Sequence, residues 1–275
     1  MKKENQQKEK NISEINFVSL FSRPDLISPA YEFVYSLWPT FMMHSKVSID
    51  NRSKIISSDL AKYHVVALKN SGGSDEAIVG VARAVPLPGV DIDKAAAVLP
   101  DHGWDEALLQ SVNYLNNLDQ HKKSGIHPSV ICALSVTVSP NYRGTGLAEK
   151  LIVELCQISK KAGFKAMAVP VRPTMRTQYP LQSFEEYCSW RRDDGLPFDP
   201  WIRTHVRLGA KIVKVAPCSM VIDGSLFEWQ DWTNLRFLKT GQYWISGGLA
   251  PLSVDVEQSR ARYVEPNLWV IHEFH

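Results

Sequence analysis

One segment near the middle of the chain combines an apolar strand, a glycine-containing turn and an amphipathic helix. Residues 129–138 are almost continuously apolar and rich in β-branched side chains, which predicts a central strand buried on both faces. Pro140 ends this strand, and a helical repeat of Leu and Ile then runs over residues 144–162 as far as Gly163. A strand that leads through a glycine turn directly into a helix restricts the chain to α/β architectures.

The turn at residues 143–148, Arg-Gly-Thr-Gly-Leu-Ala, has the features of an anion-binding loop. The first amides of a helix lack intrahelical partners and the helix dipole adds partial positive charge, which together suit a pyrophosphate. Gly144 and Gly146 let the backbone approach the phosphates closely, and Arg143 adds a positive charge. The turn lacks the Gly-Lys-Ser/Thr ending of a Walker A loop and the third glycine of a dinucleotide fingerprint. A plain strand-to-helix turn that happens to hold two glycines is the alternative.

The rest of the chain alternates between strand and helix patterns. We predict strands at 16–21, 63–68, 77–85, 165–171, 211–215 and 220–223, with 63–68 and 77–85 forming an antiparallel hairpin. We predict helices at 24–38, within 91–121, as two pieces of 184–208 and at 226–232.

Composition excludes several classes of protein. With 31 basic and 29 acidic side chains the formal net charge is +2, which argues against nucleic acid as the main partner. The apolar runs are too short and too interrupted to span a membrane. The four cysteines form no CxxC pair and lie near no histidine cluster, so neither a metal site nor a disulfide framework is predicted.

The ends of the chain differ in character. Residues 1–11 are rich in Lys, Glu and Gln and lack the apolar core of a signal peptide, so we predict a disordered tail. Residues 12–275 show no repeat and no low-complexity linker, so we predict a single domain with an extended C-terminal half and a cytoplasmic location.

The stretch from Leu134 to Leu151 resembles the main cofactor motif of the GNAT superfamily of acyl-CoA N-acyltransferases. The resemblance implies the GNAT fold, a mixed central sheet with splayed strands flanked by helices, and an acyl-coenzyme A as substrate. In that family the strand offers main-chain groups to the pantetheine and the following loop holds the pyrophosphate. The implied cofactor-binding residues are Val136, Thr137, Val138, Arg143, Gly144, Thr145, Gly146, Leu147 and Ala148.

The C-terminal half carries a narrower resemblance. The segments 171–181, 194–205 and 265–270 look like those of the GNAT-like loading domains of polyketide assembly lines of curacin type. The resemblance implies action on malonyl-CoA or acetyl-CoA without a metal, by decarboxylation and by acetyl transfer to the thiol of an acyl carrier protein. It also implies that Thr174 and His205 are catalytic.

The chemistry is compatible with these two residue types. Decarboxylation of a malonyl thioester generates an enolate, which needs hydrogen-bond donors at its oxygen and a proton source at its carbon. A histidine can supply that proton near neutral pH, and a threonine hydroxyl can hold the thioester or the carboxylate. In the alternative interpretation, His205 is a buried structural residue bonded to a backbone carbonyl and Thr174 is a helix N-cap.

One feature of the loading domains is missing. They carry an arginine for the malonyl carboxylate in the C-terminal half, whereas residues 211–225 of this chain contain no arginine. Arg172, Arg176 and Arg203 are the candidates for that charge.

Three functions therefore remain open at this point. The first is the loading-type enzyme just described. The second is an acetyl-CoA N-acetyltransferase for a primary amine, which needs a general base and a proton donor for the leaving thiolate. Its candidate bases are Glu185, Glu186 and His205, and its candidate acids are Tyr179 and Tyr187. The third is a non-catalytic acyl-CoA-binding domain, because a fold alone does not establish turnover.

Overall fold

The computed structural model describes residues 14–125 and 127–275, so the predicted tail at 1–11 lies outside the described residues. The strands are β1 (Ile15–Ser19), β2 (His64–Lys69), β3 (Ala77–Leu87), β4 (Val130–Val138), β5 (Ala166–Val171), β6 (Lys211–Ser225), β7 (Gly241–Tyr243), β8 (Leu252–Asp255) and β9 (Arg260–Glu273).

The helices are α1 (Ile27–Leu37), α2 (Lys46–Asp50), α3 (Arg52–Ile55), α4 (Ser58–Ala61), α5 (Ala95–Val98), α6 (Gly103–Asn116), α7 (Leu118–Lys123), α8 (Leu147–Lys161), α9 (Phe184–Ser189), α10 (Pro200–Arg207) and α11 (Leu226–Thr233). No helix of the described residues is long and apolar enough to cross a membrane.

The strands form one sheet of nine in the order β1-β2-β3-β4-β5-β9-β8-β7, and β6 pairs with β9. β4 and β5 run parallel, and the other pairings are antiparallel. The predicted hairpin is β2 and β3, which pair from His64 with Arg83 to Lys69 with Ala77. The predicted mixed sheet flanked by helices is confirmed.

Helices cover both faces of the N-terminal half of this sheet. α8 packs on β2, β3 and β4 so closely that a Cβ added at Gly80 would lie 2.8 Å from Leu151 Cδ1. α1 lies on the opposite face, where its Val34 belongs to a buried cluster with Val66 and Val81. Side chains of β3 and β4 therefore alternate between the α8 face and the α1 face.

Three predicted boundaries differ from the structure. α8 begins at Leu147 rather than at 144, because Gly144 and Gly146 take positive φ angles of 69° and 90°. The predicted helical region 91–121 is divided among α5, α6 and α7. The two predicted pieces 211–215 and 220–223 form one strand, β6, whose pairing with β9 is irregular between Ala216 and Met220. That interruption contains Pro217, which has no N–H for a strand ladder.

Candidate active site

The parallel strands β4 and β5 separate after a short stretch of pairing. They are bonded only from Val130–Cys132 to Ala166–Ala168, and beyond this point β4 continues to Val138 without β5 as a partner. Where β4 pairs with β3, Ser135 and Ala133 oppose the neighbours Arg83 and Ala84, so Leu134 is an extra residue that bulges the strand. The gap between the strands opens into a cavity of about 740 Å³.

The strand residues predicted to bind the cofactor lie at this gap. Val136, Thr137 and Val138 all line the cavity, on the part of β4 that β5 leaves unpaired. Main-chain groups on that edge are therefore open to a ligand. The Thr137 hydroxyl accepts a hydrogen bond of 3.2 Å from the Trp38 indole, which fixes one cavity wall.

The predicted anion loop follows directly. Gly146 is the N-cap of α8 and supplies no side-chain cap, so the amides of the first helical turn have no side-chain partner. Gly144 and Gly146 line the cavity together with Arg143, which is exposed. These residues form an electropositive rim at one end of the cavity.

The other members of the predicted loop have different positions. Ala148 lines the cavity, whereas Leu147 is fully buried in the core beneath it. The Thr145 hydroxyl donates a 2.6 Å hydrogen bond to the Tyr142 carbonyl and so closes the turn. The loop geometry suits a pyrophosphate, and the binding role of each residue stays a prediction.

The two residues predicted to be catalytic are separated by the structure. Thr174 lies on the cavity wall and is exposed. It is not an N-cap, because the short helical turn at Arg176–Gln178 begins after Met175. His205 is only 1% exposed and does not line the cavity, although Trp201 and Thr204 of the same helix do.

His205 belongs to a buried histidine pair. Its Nδ1 lies 2.9 Å from Nε2 of His272 on β9, and its Nε2 has no hydrogen-bond partner among the described residues. Burial lowers the pKa of His205 to about 3 and that of His272 to about 4, so both rings are neutral near pH 7. The catalytic role of His205 stays a prediction, and a buried position away from the cavity does not favour it. His205 is buried, as the structural alternative predicts, but its hydrogen-bond partner is the side chain of His272 rather than a backbone carbonyl.

The remaining candidate bases and acids also lie away from the cavity. Glu185 and Glu186 are exposed on α9. The Tyr187 hydroxyl donates to Asp199 Oδ2 at 2.7 Å, and Tyr179 packs edge-on against Trp190. None of the four candidates lines the cavity.

Of the three candidate arginines, Arg172 alone reaches the cavity. Arg176 donates to the carbonyls of Tyr179 and Gln182, and Arg203 donates to those of Pro197 and Phe198. Arg172 lines the cavity beside Thr174.

A carboxylate that was not predicted lies against Arg172. Glu265 on β9 lines the cavity, is 1% exposed, and accepts from Arg172 Nε at 2.8 Å and from Nη2 at 3.0 Å. The Tyr263 hydroxyl donates to the same carboxylate at 2.5 Å, and Asn267 Nδ2 lies 3.4 Å from it. Burial and the Glu265 charge raise the pKa of Tyr263, so its phenol stays protonated and remains a donor.

The Arg172–Glu265 pair left little signal in the sequence. Its two residues are 93 positions apart and come together because β5 and β9 are adjacent antiparallel strands. The one sign was a carboxylate, Glu265, within the largely apolar segment 263–271 near the end of the chain. Glu149, on the first turn of α8, is the other carboxylate on the cavity wall.

No group of three or more His, Cys, Asp or Glu side chains suited to a metal ion occurs within residues 14–125 and 127–275. The cavity thus joins an electropositive helix terminus to a buried acid through a gap in the sheet. This arrangement suits transfer of an acyl group from an anionic carrier to a second substrate.

Comparisons with known proteins agree with that class. The model of the acetyltransferase (GNAT) family matches residues 30–181. The arginine N-acetyltransferase avaD of Aspergillus versicolor is 34% identical over 277 residues, covering 92% of this chain and 92% of that protein. The chain belongs to the GNAT acetyltransferase family.

Two solved structures share the fold. The loading GNATL domain of CurA from Lyngbya majuscula has a TM-score of 0.52 at 15% identity, covering 94% of this chain and 97% of that one. The GphF GNAT-like decarboxylase, solved with isobutyryl-CoA, has a TM-score of 0.51 at 16% identity, covering 94% and 98%. The predicted resemblance to the GNAT superfamily is confirmed by the family match, and these two structures show that the chain shares its fold with a loading domain and a decarboxylase.

Proposed function

We propose that this protein is an acetyl-CoA-dependent N-acetyltransferase that acts on a primary amine. The observation that carries the proposal is that the uncapped start of α8 and the buried carboxylate of Glu265 line the same cavity. The similarity to an arginine N-acetyltransferase along nearly the whole chain supports an amine as acceptor.

Binding of the thioester divides between two parts of the cavity. The pyrophosphate is held by the amides of residues 144–148 and by Arg143, where the helix dipole favours negative charge. The pantetheine then follows the unpaired edge of β4 along Val136 to Val138. This path brings the thioester to the gap between the two strands.

Transfer requires an amine that has lost its proton. An ammonium group has no lone pair, so one proton must leave before the nitrogen attacks the thioester carbonyl. Glu265 and Glu149 are the carboxylates on the wall, and we assign proton removal to Glu265 because it is the buried one of the two. The new C–N bond forms as the C–S bond breaks, and the nitrogen loses a second proton, which the leaving thiolate takes up to give coenzyme A.

The assignment of Glu265 is tested by Glu265→Gln, which keeps the shape of the side chain and removes its basicity. We expect kcat to fall about 100-fold or more while the affinity for acetyl-CoA is unchanged. The measurement is thiol release with a panel of primary amines. Glu149→Gln is the matched control, for which we expect a change of less than about tenfold. Equal losses in both variants would exclude Glu265 as the base.

A second candidate is malonyl-CoA decarboxylation with acetyl transfer to a carrier-protein thiol. It is favoured by Thr174 on the cavity wall, beside the cation of Arg172. Mass spectrometry of purified protein with malonyl-CoA tests it through formation of acetyl-CoA. Lack of conversion by protein that binds the thioester would eliminate this candidate. Lack of any turnover with amines as well would leave a non-catalytic acyl-CoA-binding domain.

A further inference from the structure

A buried arginine lies close behind the cavity and has no counter-ion among the described residues. Arg83, in the middle of β3, is 3% exposed, and its Nε donates to the Ser135 hydroxyl at 2.8 Å. Its guanidinium lies over the rings of Tyr31, Trp38 and Tyr35, at 5.3, 5.6 and 6.0 Å from their centroids. All of these groups are neutral.

The cluster around Arg83 contains no anion to balance its charge among the described residues. No carboxylate of residues 14–125 and 127–275 forms an ion pair with Arg83. A guanidinium stays protonated in proteins, so the charge cannot be lost on burial. Burying a cation without a paired charge is costly, and stacking on aromatic faces offsets only part of that cost.

The histidine beside Arg83 adds no second positive charge, although Arg52 lies over the same Tyr35 ring at 5.7 Å from its centroid. His64 opposes Arg83 on β2, and burial together with the Arg83 charge lowers the pKa of His64 to about 3. His64 is therefore neutral at physiological pH and adds no second positive charge. Arg83 is the cation of a buried polar cluster that includes Tyr31 and His64.

Arg83 lies directly behind one wall of the cavity. Arg83 pairs with Ser135 across the sheet, and Ser135 and Trp38 both line the cavity. The side chains of Arg83 and Ser135 lie on the α1 face of the sheet. Those of Val136 and Val138 point to the α8 face, where the anion loop begins. Arg83 therefore lies on the face of the sheet opposite to the one that α8 and the anion loop occupy.

We propose that Arg83 is the counter-ion for a carboxylate of the substrate, so that the acceptor is an amino acid or a related amino carboxylate. This proposal rests on the proposed N-acetyltransferase function. Arg83 does not itself line the cavity, but the Ser135 hydroxyl, which accepts from Arg83 Nε, does. That hydroxyl can donate its own proton to a carboxylate at the wall, and the buried positive charge of Arg83 behind it strengthens this hydrogen bond. The amino group of the same molecule would then face the thioester in the gap.

The experiment compares each amino acid with its own carboxamide as acceptor. We expect the wild type to prefer the carboxylate by about tenfold or more in kcat/KM, the effect of one charge-assisted hydrogen bond. Arg83→Met should remove the preference by raising KM for the carboxylate alone, and Arg83→Lys should retain part of it. Arg262→Met on the exposed part of β9 is the control and should leave the ratio unchanged.

A second arm identifies the source of the carboxylate. Calorimetry measures the affinities for acetyl-CoA and malonyl-CoA in the wild type and in Arg83→Lys. If the substitution lowers the affinity for malonyl-CoA alone, Arg83 binds the carboxylate of the acyl group, and the assignment of an amino acid as acceptor is overturned. If neither a carboxylate acceptor nor malonyl-CoA is affected selectively, the whole proposal is overturned.

Folding is monitored separately so that an unstable variant does not obscure the result. If Arg83→Met fails to fold, the wild type and Arg83→Lys are compared by thermal unfolding with a free amino acid and with its amide. Stabilisation of the wild type by the acid alone, reduced in Arg83→Lys, supports the proposal, and equal stabilisation by both ligands contradicts it. If amides are acetylated as well as acids in all variants, the N-acetyltransferase function survives and the Arg83 proposal fails.

Discussion

At the scale of single residues, two glycines decide the shape of the anion loop. Gly146 caps α8 with φ at 90°, a conformation that other residues adopt only with strain. Because the same residue lines the cavity, a side chain there would also occupy the space of the phosphates. Backbone strain and loss of binding can be separated, since Gly163 at the other end of α8 also has φ at 90° and has no atom within 4 Å of an added Cβ.

We predict that Gly146→Asp weakens coenzyme A binding at least about 100-fold, because it adds a negative charge where the pyrophosphate binds. Gly163→Asp should cost similar stability and leave the dissociation constant unchanged. Isothermal calorimetry with coenzyme A measures both. Equal affinities for the two variants would remove the pyrophosphate site from this helix terminus.

The two residues predicted to be catalytic should respond differently to truncation. Thr174→Ala alters the cavity wall and should reduce turnover with a change in stability below about 0.5 kcal/mol. His205→Ala empties a buried site and leaves His272 Nε2 without its partner, so we predict a loss of about 2–4 kcal/mol. Urea unfolding and thiol release distinguish the two effects. Full stability combined with lost turnover in His205→Ala would restore its catalytic assignment.

At the scale of elements, one carboxylate joins a loop and two helices at the cavity. Asp199 is 1% exposed and caps α10, where its Oδ1 accepts from the amides of Trp201 and Ile202 at 2.9 and 3.2 Å. Its Oδ2 accepts from the Met175 amide at 2.9 Å and from the Tyr187 hydroxyl of α9. The loop that carries Thr174 is therefore fixed to the helix that carries Trp201 and Thr204.

We predict that Asp199→Ala lowers stability by about 2–4 kcal/mol and also lowers kcat/KM, because the cap and two further donors lose their acceptor at once. Ser225→Ala is the matched control, since Ser225 caps the remote helix α11 through a capping box. It should cost about 1 kcal/mol and leave kcat/KM unchanged. Urea unfolding and steady-state kinetics are the measurements. A loss of stability in Asp199→Ala without a kinetic change would show that this carboxylate does not position the cavity.

At the scale of the whole molecule, buried titratable groups set the dependence of stability on pH. The pKa values of His64 and His205 are lowered to about 3 and that of His272 to about 4, in each case chiefly by burial. A histidine whose pKa is lower in the folded state stabilises the fold above its unfolded value of 6.5, and this stability is lost as the pH falls below it. Asp105 acts in the opposite sense, because burial raises its pKa to about 7.

We therefore predict that the free energy of unfolding decreases by about 2 kcal/mol between pH 6.5 and pH 5.5, because the three histidines lower it by about 3 kcal/mol and Asp105 raises it by about 1 kcal/mol. Urea unfolding at the two pH values measures it. His64→Gln should make this decrease smaller by about 1 kcal/mol, and the exposed His127→Gln should leave it unchanged. A stability independent of pH over this interval would mean that these rings are not neutral in the folded protein.

Local patterns in the sequence were enough for β1 to β6, for the longer helices and for one end of the cavity, whereas α2 to α4, β7 and β8 were not predicted. The apolar run at 129–138 predicted β4, and the glycine turn predicted the loop before α8, because hydrophobic periodicity and the φ freedom of glycine are properties of neighbouring residues. The family resemblance also predicted that β4 separates from β5. The pairing of these strands over only three residues confirms it.

Only the tertiary structure decided which charged side chains meet. Glu265 reaches Arg172 because β9 lies beside β5, and Arg83 comes behind Ser135 through the register of β3 with β4. His205 does not reach the cavity, because α10 directs Trp201 and Thr204 to the cavity wall and buries His205 against β9. Such contacts depend on strand order and helix rotation, which are set by packing of the whole core rather than by the residues beside each group.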